Sequence, residues 1–255
     1  MFADRILVLI PHPDDEVVGC AAAIARARAQ GAAVHGLYLT TGVPGVEVAW
    51  RPDPAGTAAR VARRRAEALA AAERLGITPV AFSDRPTRTL RLHMADALAE
   101  LRGAVDRLRP GVVWAPAYEG GHQDHDVANA LASLIAPTVP VWEYAEYNNA
   151  GGRTRSQDFP DARGGETVLA LTDAEQAEKR ALLDLYESER GNLAHIRSGR
   201  EAFRPLPAHD YALPPHPGTL FYARFHWVPF RHPRIDFTKP ATVSRVVTAF
   251  MERVR

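Results

Sequence analysis

The segment His12-Pro13-Asp14-Asp15-Glu16 places one imidazole and three carboxyl groups within five residues. His12 and Asp15, three apart, can converge on one cation where the chain leaves a strand and enters a helix. Asp14 then stays free to take a proton from an activated water. A competing reading exists for this motif alone, because Pro-Asp-Asp-Glu also makes a good helix start through capping and dipole complementarity. A second cluster, His122-Gln123-Asp124-His125-Asp126, follows more than a hundred residues later and can supply a third ligand. Two histidines and one carboxylate leave coordination positions open for water and substrate, as a hydrolytic site requires. The same donor set suits non-haem Fe(II) and oxygen chemistry. A spare acid beside the metal and an α/β scaffold favour water activation instead.

Elements able to bring the two clusters together can be read along the chain. The apolar run Ile6–Ile10 is a buried strand that ends at the first cluster. Val112-Val113-Trp114-Ala115 is another, reaching the second cluster through Gly120-Gly121. In open α/β sheets the carboxyl ends of the strands form the functional edge, so both clusters are expected on one edge. Between them, helices are expected over residues 16–30, 57–75 and 90–108, with strands over 34–40 and 80–82. A helix over 126–135 and a strand over 139–144 follow the second cluster. This alternation predicts an α/β, Rossmann-like, mostly parallel sheet with helices on both faces. Residues 148–165 read as a loop. Thr172-Asp173-Ala174-Glu175 has the form of a capping box that opens a helix to about residue 189. Eight of the twenty prolines then fall between Pro205 and Pro240, around one expected strand over 219–228, and this segment is expected to wall the site.

Length and composition bound the rest. With 255 residues and 46% hydrophobic content, one catalytic domain over 1–255 is expected. Thirty-one Lys and Arg against thirty Asp and Glu give no overall field to recruit nucleic acid or an anionic membrane. No apolar run reaches transmembrane length, and the start of the chain lacks the layout of a signal peptide. The single cysteine, Cys20, cannot form an internal disulfide, which fits a cytoplasmic location. As a thiolate ligand it is outweighed by its place on an Ala-rich helix face. A non-catalytic nucleotide- or sugar-binding module is disfavoured, because Pro11-His12-Pro13 stands where a dinucleotide fold needs a glycine-rich turn.

His12-Pro13-Asp14-Asp15-Glu16 after a strand, with His122-x-Asp124-His125 downstream, resembles the PIG-L/LmbE-like family of zinc-dependent N-acetylglucosaminyl deacetylases. The similarity runs from Ile6 to about Tyr144. Arg64-x-x-Glu67 resembles a helix of that family whose arginine reaches the sugar, and Tyr186-Glu187-Ser188 is similar to a Tyr-x-Ser segment near its C-terminal helix. The resemblance implies His12, Asp15 and His125 as ligands of Zn2+, with Fe2+ or another divalent metal as an alternative, and Asp14 as general base. It implies that His122 serves the oxyanion or the leaving amine, that Asp124 orients His122, and that Arg64 binds substrate. Helix-surface pairing of Arg64 with Glu67 is the competing reading of that residue. The implied partner is a small N-acetylated sugar or conjugate, and the implied reaction removes its acetyl group. Hydrolysis of another N-acyl compound, such as a thiol conjugate, is the alternative. Gln123 replaces a proline common in relatives, and Gly42-Val43-Pro44-Gly45 lacks the acidic residue common in the family's glycine-rich loop.

Overall fold

The computed structural model describes residues 1–161, 163–230, 232 and 234–254. The first half runs β1 (Arg5–Ile10), α1 (Asp15–Ala29), β2 (Ala33–Tyr38), α2 (Pro54–Leu75), β3 (Ile77–Phe82), α3 (Met94–Leu108), β4 (Val112–Pro116), α4 (Gln123–Ser133) and β5 (Val141–Tyr144). The second half adds β6 (Tyr147–Asn148), β7 (Arg155–Ser156), β8 (Thr167–Ala170), α5 (Asp173–Leu183), α6 (Arg190–Leu193), β9 (Arg200–Pro205) and α7 (Pro240–Val254). Seven strands form the central sheet in the order β3-β2-β1-β4-β5-β9-β8. The five on the β3 side are mutually parallel, whereas β9 pairs antiparallel with both β5 and β8, so β9 alone is reversed. The mostly parallel α/β sheet expected from the sequence is therefore present.

Alternation along β1 shows how the layers are made. All of Ile6–Ile10 is excluded from solvent. Leu7 and Leu9 pack with α3, α4 and α7, while Ile6, Val8 and Ile10 pack with α1 and α2 on the other face. A strand buried on both faces reads as a continuous apolar run, which is why it was legible in the sequence. Helix α1 lies so close to β5 that a Cβ on Gly19 would stand 2.3 Å from the ring of Tyr144, which itself donates to Leu9 O at 2.6 Å. The antiparallel extension also grips α1. Glu201 on β9 accepts the N–H groups of Ala22 and Ala23 at 3.0 and 2.9 Å, and pairs with Lys179 of α5 at 2.8 Å. Lys179 in turn donates to Val18 O at 2.8 Å. These buried charges fix the helix that carries Asp15.

Several expected elements differ. The capping box forms at Thr172 and Glu175, but its helix ends at Leu183 and gives way to short turns before residue 189. Helix α2 starts at Pro54 rather than 57, because Asp53 caps it by accepting from Gly56 N. The strand expected over 219–228 is absent. One turn of 3-10 helix over Phe221–Ala223 stands there, followed by further turns. The strands that complete the sheet are β8, a run of only four residues, and β9, which carries charge and lacks a clean alternation. Part of the proline-rich segment does lie against the second cluster: Pro215 and Leu220 pack on Gly120, and Asp236 accepts from Gln123. Among the described residues no helix is long and apolar enough to cross a membrane.

Candidate metal centre

Strands β1 and β4 are adjacent and parallel, so the turns leaving them meet at one edge of the sheet. The turn after β1 carries His12, Asp14 and Asp15, and the start of α4 carries His122, Asp124 and His125. His12 Nδ1 lies 3.3 Å from Asp15 Oδ2 and 3.0 Å from His125 Nε2, and His125 Nε2 lies 3.2 Å from the same oxygen. Three donors separated in this way match the edge of about 3.3 Å that a tetrahedron has when its metal–ligand bonds are ~2.0–2.1 Å. The donor set therefore fits a zinc ion or a similar divalent metal. Two looser groupings share His125, one with His12 and His122 and one with Asp15 and Glu146, their donors within 4.8 Å of one another. The tighter triangle is the better coordination face. His122 Nδ1 is already occupied, accepting from Asp124 N–H at 3.1 Å.

The surroundings assign the supporting roles. Asp124 was expected to orient His122, but its Oδ2 lies 3.7 Å from His122 Nδ1 and 3.1 Å from His12 Nε2. It thus holds His12 with Nδ1 turned toward the other two donors, as a carboxylate does that orients a metal-binding histidine. The reason is local: Thr87 Oγ1, Arg88 N and Leu90 N donate to Asp124 at 3.0, 2.6 and 3.1 Å and pull its carboxylate across the site. Burial alone would raise the Asp124 carboxyl, but the His12 hydrogen bond, the two imidazoles and these N–H groups hold it below the usual range. Burial likewise opposes protonation of His12, yet Asp15 and Asp124 lift it to about 10. His122 is pushed well down, chiefly by burial and then by His12, and stays neutral. With Nδ1 accepting, its Nε2 carries the hydrogen and faces away from Asp124 as a donor.

Asp14 sits at the N-cap position of α1 but makes no capping bond, and its φ of 130° lies where non-glycine residues are strained. Of the helix-start reading, capping by Asp14 is therefore absent, while Asp15 and Glu16 do stand in the first turn of α1, where their charge complements the helix dipole. Burial raises Asp14 to about 7, against the Arg64 cation and with the help of Asp15. Arg64, expected at the sugar, is 2% exposed. Its Nη2 donates to Asp14 Oδ2 at 3.0 Å and to Pro13 O, while Nε and Nη1 have no hydrogen-bond partner. It stands behind the acid rather than paired with Glu67, which instead binds Arg63 and Ser188. Tyr186 donates to Glu16, joining the C-terminal segment to the first motif. Cys20 is buried in the core face of α1, and Gln123 points into a network with Arg91 and Asp236.

One residue of the site was missed in the sequence. Glu146, just beyond β5, is fully buried with neither oxygen hydrogen-bonded, and its Oε2 lies 3.4 Å from His125 Nδ1, which also lacks a partner. Burial, with Asp15 and Glu119 nearby, pushes its carboxyl well up. The only signal available was an acid inside an otherwise apolar strand end.

The model of the GlcNAc-PI de-N-acetylase (PIG-L) family matches residues 7–136. That span holds both clusters and just over half of the chain. The chain belongs to this family. Among solved structures it is similar to a deacetylase of the teicoplanin biosynthetic pathway, with 19% identity over 79% of this chain and 97% of that one at a TM-score of 0.61. The N,N'-diacetylchitobiose deacetylase of Pyrococcus horikoshii matches with 19% identity over 84% and 85% of the two chains at a TM-score of 0.51. A 4-carboxy-2-hydroxymuconate hydratase from Pseudomonas putida matches with 20% identity over 81% and 98% at 0.53. No curated protein matches in sequence. A hydratase among structures of this PIG-L-like fold means that the fold alone does not choose the reaction.

Proposed function

We propose that this PIG-L family member is a metal-dependent hydrolase that removes the acetyl group from an N-acetylglucosamine-type substrate. The observation that carries the reading is the triangle of His12 Nδ1, Asp15 Oδ2 and His125 Nε2, with the adjacent Asp14 left outside it. Zinc, or another divalent ion such as Fe2+, supplies a Lewis acid for the amide carbonyl and lowers the pKa of a water to ~7.

The chain's own groups do the rest. Asp14 accepts a proton from the attacking water, and Arg64 behind it holds the carboxylate in place. The neutral His122 donates Nε2–H to the oxygen that gains charge as the carbonyl carbon becomes tetrahedral. The C–N bond then breaks, the proton held by Asp14 passes to the departing nitrogen, and acetate and a free amine are the products. No serine or cysteine nucleophile enters the scheme, so no acyl-enzyme forms. Asp124 and Glu146 act one shell out, on His12 and His125.

Support for the substrate class comes from the family and from the teicoplanin-pathway and diacetylchitobiose deacetylases, which are named for N-acylated amino sugar or glycopeptide substrates. The test is to incubate the zinc-loaded protein with a panel of N-acetylglucosaminides and measure acetate and free amine together. Equal release of both supports the reading. A metal-replete protein that releases neither, yet cleaves other N-acyl compounds, would move the assignment to a different amidase.

A further inference from the structure

Residues 186–189 dock on α2 side chain by side chain. Glu187 pairs with Arg63 at 2.8 Å, and Ser188 N–H donates to Glu67 at 3.1 Å. Tyr186 presents its ring to the Arg64 guanidinium, with Cζ 5.6 Å from the ring centroid, and donates to Glu16. Glu189 completes the row: its Oε1 lies 3.4 Å from Arg64 Nη1, while its Oε2 accepts from Asn192 Nδ2 at 2.5 Å. These pairs differ in what they can do. The side chains of Arg63 and Glu187 are 53% and 62% exposed, and surface pairs of that kind contribute little. Those of Arg64 and Glu189 are 3% and 20% exposed, so the inner pair is largely shielded from water.

Arg64 faces an anion at each end. Among the described residues its ion-pair partners are Asp14, 3.0 Å from Nη2, and Glu189, beside Nη1. Gly42 closes another side: its φ is 70°, and a Cβ there would stand 2.9 Å from Nη2 and 3.1 Å from Nε. Nη2 donates to Asp14 and to Pro13 O, whereas Nη1 and Nε find no hydrogen-bond acceptor. A buried cation with so few acceptors depends on neighbouring carboxylates for its charge balance. That balance changes during the reaction. On taking the proton of the attacking water Asp14 becomes neutral, and of the two partners only Glu189 keeps its charge. A planar guanidinium flanked by anions at both ends is also hindered from turning about its Nε–Cζ bond.

We infer that Glu189 is a positioning residue for the general base: it holds Arg64 against Asp14 and keeps that buried cation compensated while Asp14 carries the proton. The role in turnover rests on the deacetylase reading; the anchoring of Arg64 does not. The full-length zinc-loaded protein is compared with Glu189→Ala, with Glu189→Gln, which keeps the shape and loses the charge, and with Glu187→Ala as a surface control. With methyl N-acetylglucosaminide as substrate, kcat should fall about 5-fold in both Glu189 variants, the scale of a charge-assisted contact discounted for partial exposure. KM and zinc content should not change, and Glu187→Ala should match wild type. In an Arg64→Gln background, Glu189→Ala should cost nothing further, because it acts through Arg64. The second measurement needs no substrate: nitrogen-15 NMR of the arginine side chains, with the Arg64 signals identified by their loss in Arg64→Gln. Held at both ends, Arg64 should give two separate Nη signals that merge in Glu189→Ala. Wild-type kcat in both Glu189 variants, a raised KM in place of a lowered kcat, or a loss that multiplies with that of Arg64→Gln overturns the role in turnover. Nη signals that stay separate in Glu189→Ala overturn the anchoring. If wild type releases no acetate the deacetylase reading has failed, and the resonances alone decide whether Glu189 anchors Arg64.

Discussion

Replacing Glu146 tests the proposed outer support of the metal while leaving the three proposed ligands, His12, Asp15 and His125, in place. The Glu146 carboxyl group is fully buried, with Oε2 3.4 Å from His125 Nδ1 and neither oxygen hydrogen-bonded, so no solvent screening weakens the contact. With a metal on Nε2, Nδ1 carries the hydrogen and Glu146 is its acceptor. Outer-shell acceptors of this kind typically contribute 10–100-fold in metal affinity, or about 1.4–2.7 kcal/mol. Glu146→Ala should lose that whole amount. Glu146→Gln keeps an acceptor of the same shape but loses its charge. Because a charge-assisted bond is roughly twice as strong as a neutral one, the expected loss is about 1 kcal/mol, near 5-fold. Glu146→Gln should leave the metal-free fold near wild type, since burial and its neighbours Asp15 and Glu119 already disfavour the anion there, whereas Glu146→Ala also leaves a cavity. Zinc affinity is read by competition with a fluorescent chelator, and metal-free stability by urea unfolding. Wild-type affinity in both variants would refute the role, and a larger loss in the glutamine than in the alanine variant would refute the charge argument.

Asp14→Asn should keep its zinc by elemental analysis and lose about two to four orders of magnitude in turnover; near-normal turnover would remove Asp14 as the base. His122→Ala and Asp124→Asn should separate by assay: the first lowers turnover with zinc affinity kept, the second weakens zinc binding about 10–100-fold because Asp124 holds His12. Similar zinc affinity in these two variants would count against that division. Burial raises both Glu119 and Asp126 to about 8, against unfolded values of about 4.3 and 3.9. The folded chain therefore holds these protons more tightly than the unfolded chain. The stability so gained is full below about pH 4 and is lost as pH rises to about 8. Glu119→Gln should flatten this fall in the metal-free protein, and parallel curves for variant and wild type, measured by urea unfolding from pH 5 to 8.5, would refute the assignment.

What the sequence determined by itself are the features encoded by near neighbours. Strand β1 announced itself because five consecutive apolar residues can be buried only by an element covered on both faces, and the capping box at Thr172 needed only a serine-type oxygen and a glutamate three residues on. The first-motif donors, His12 and Asp15, were legible for the same reason: three residues of chain separate them, and the strand-to-helix turn supplies the geometry. The structure brings His125 to them, as the shared strand edge implied. Contacts between distant segments were decided only by tertiary structure. The Asp124 carboxylate bonds His12, leaving only the backbone N–H of Asp124 to its near neighbour His122, because Thr87, Arg88 and Leu90 arrive from another loop and redirect that carboxylate. Arg64 is turned onto Asp14 by the packing of α2 against the first turn. Glu146 has no local motif at all, and only the pairing of β4 with β5 sets it beside His125. Strand β9 escaped notice because its charged residues, Glu201 and Arg204, read as surface, and β8 because four residues are too short a run to stand out. In the fold those charges are buried and paired, with Lys179 and with Glu143, and a sequence cannot show a pair whose members meet only after the sheet has closed.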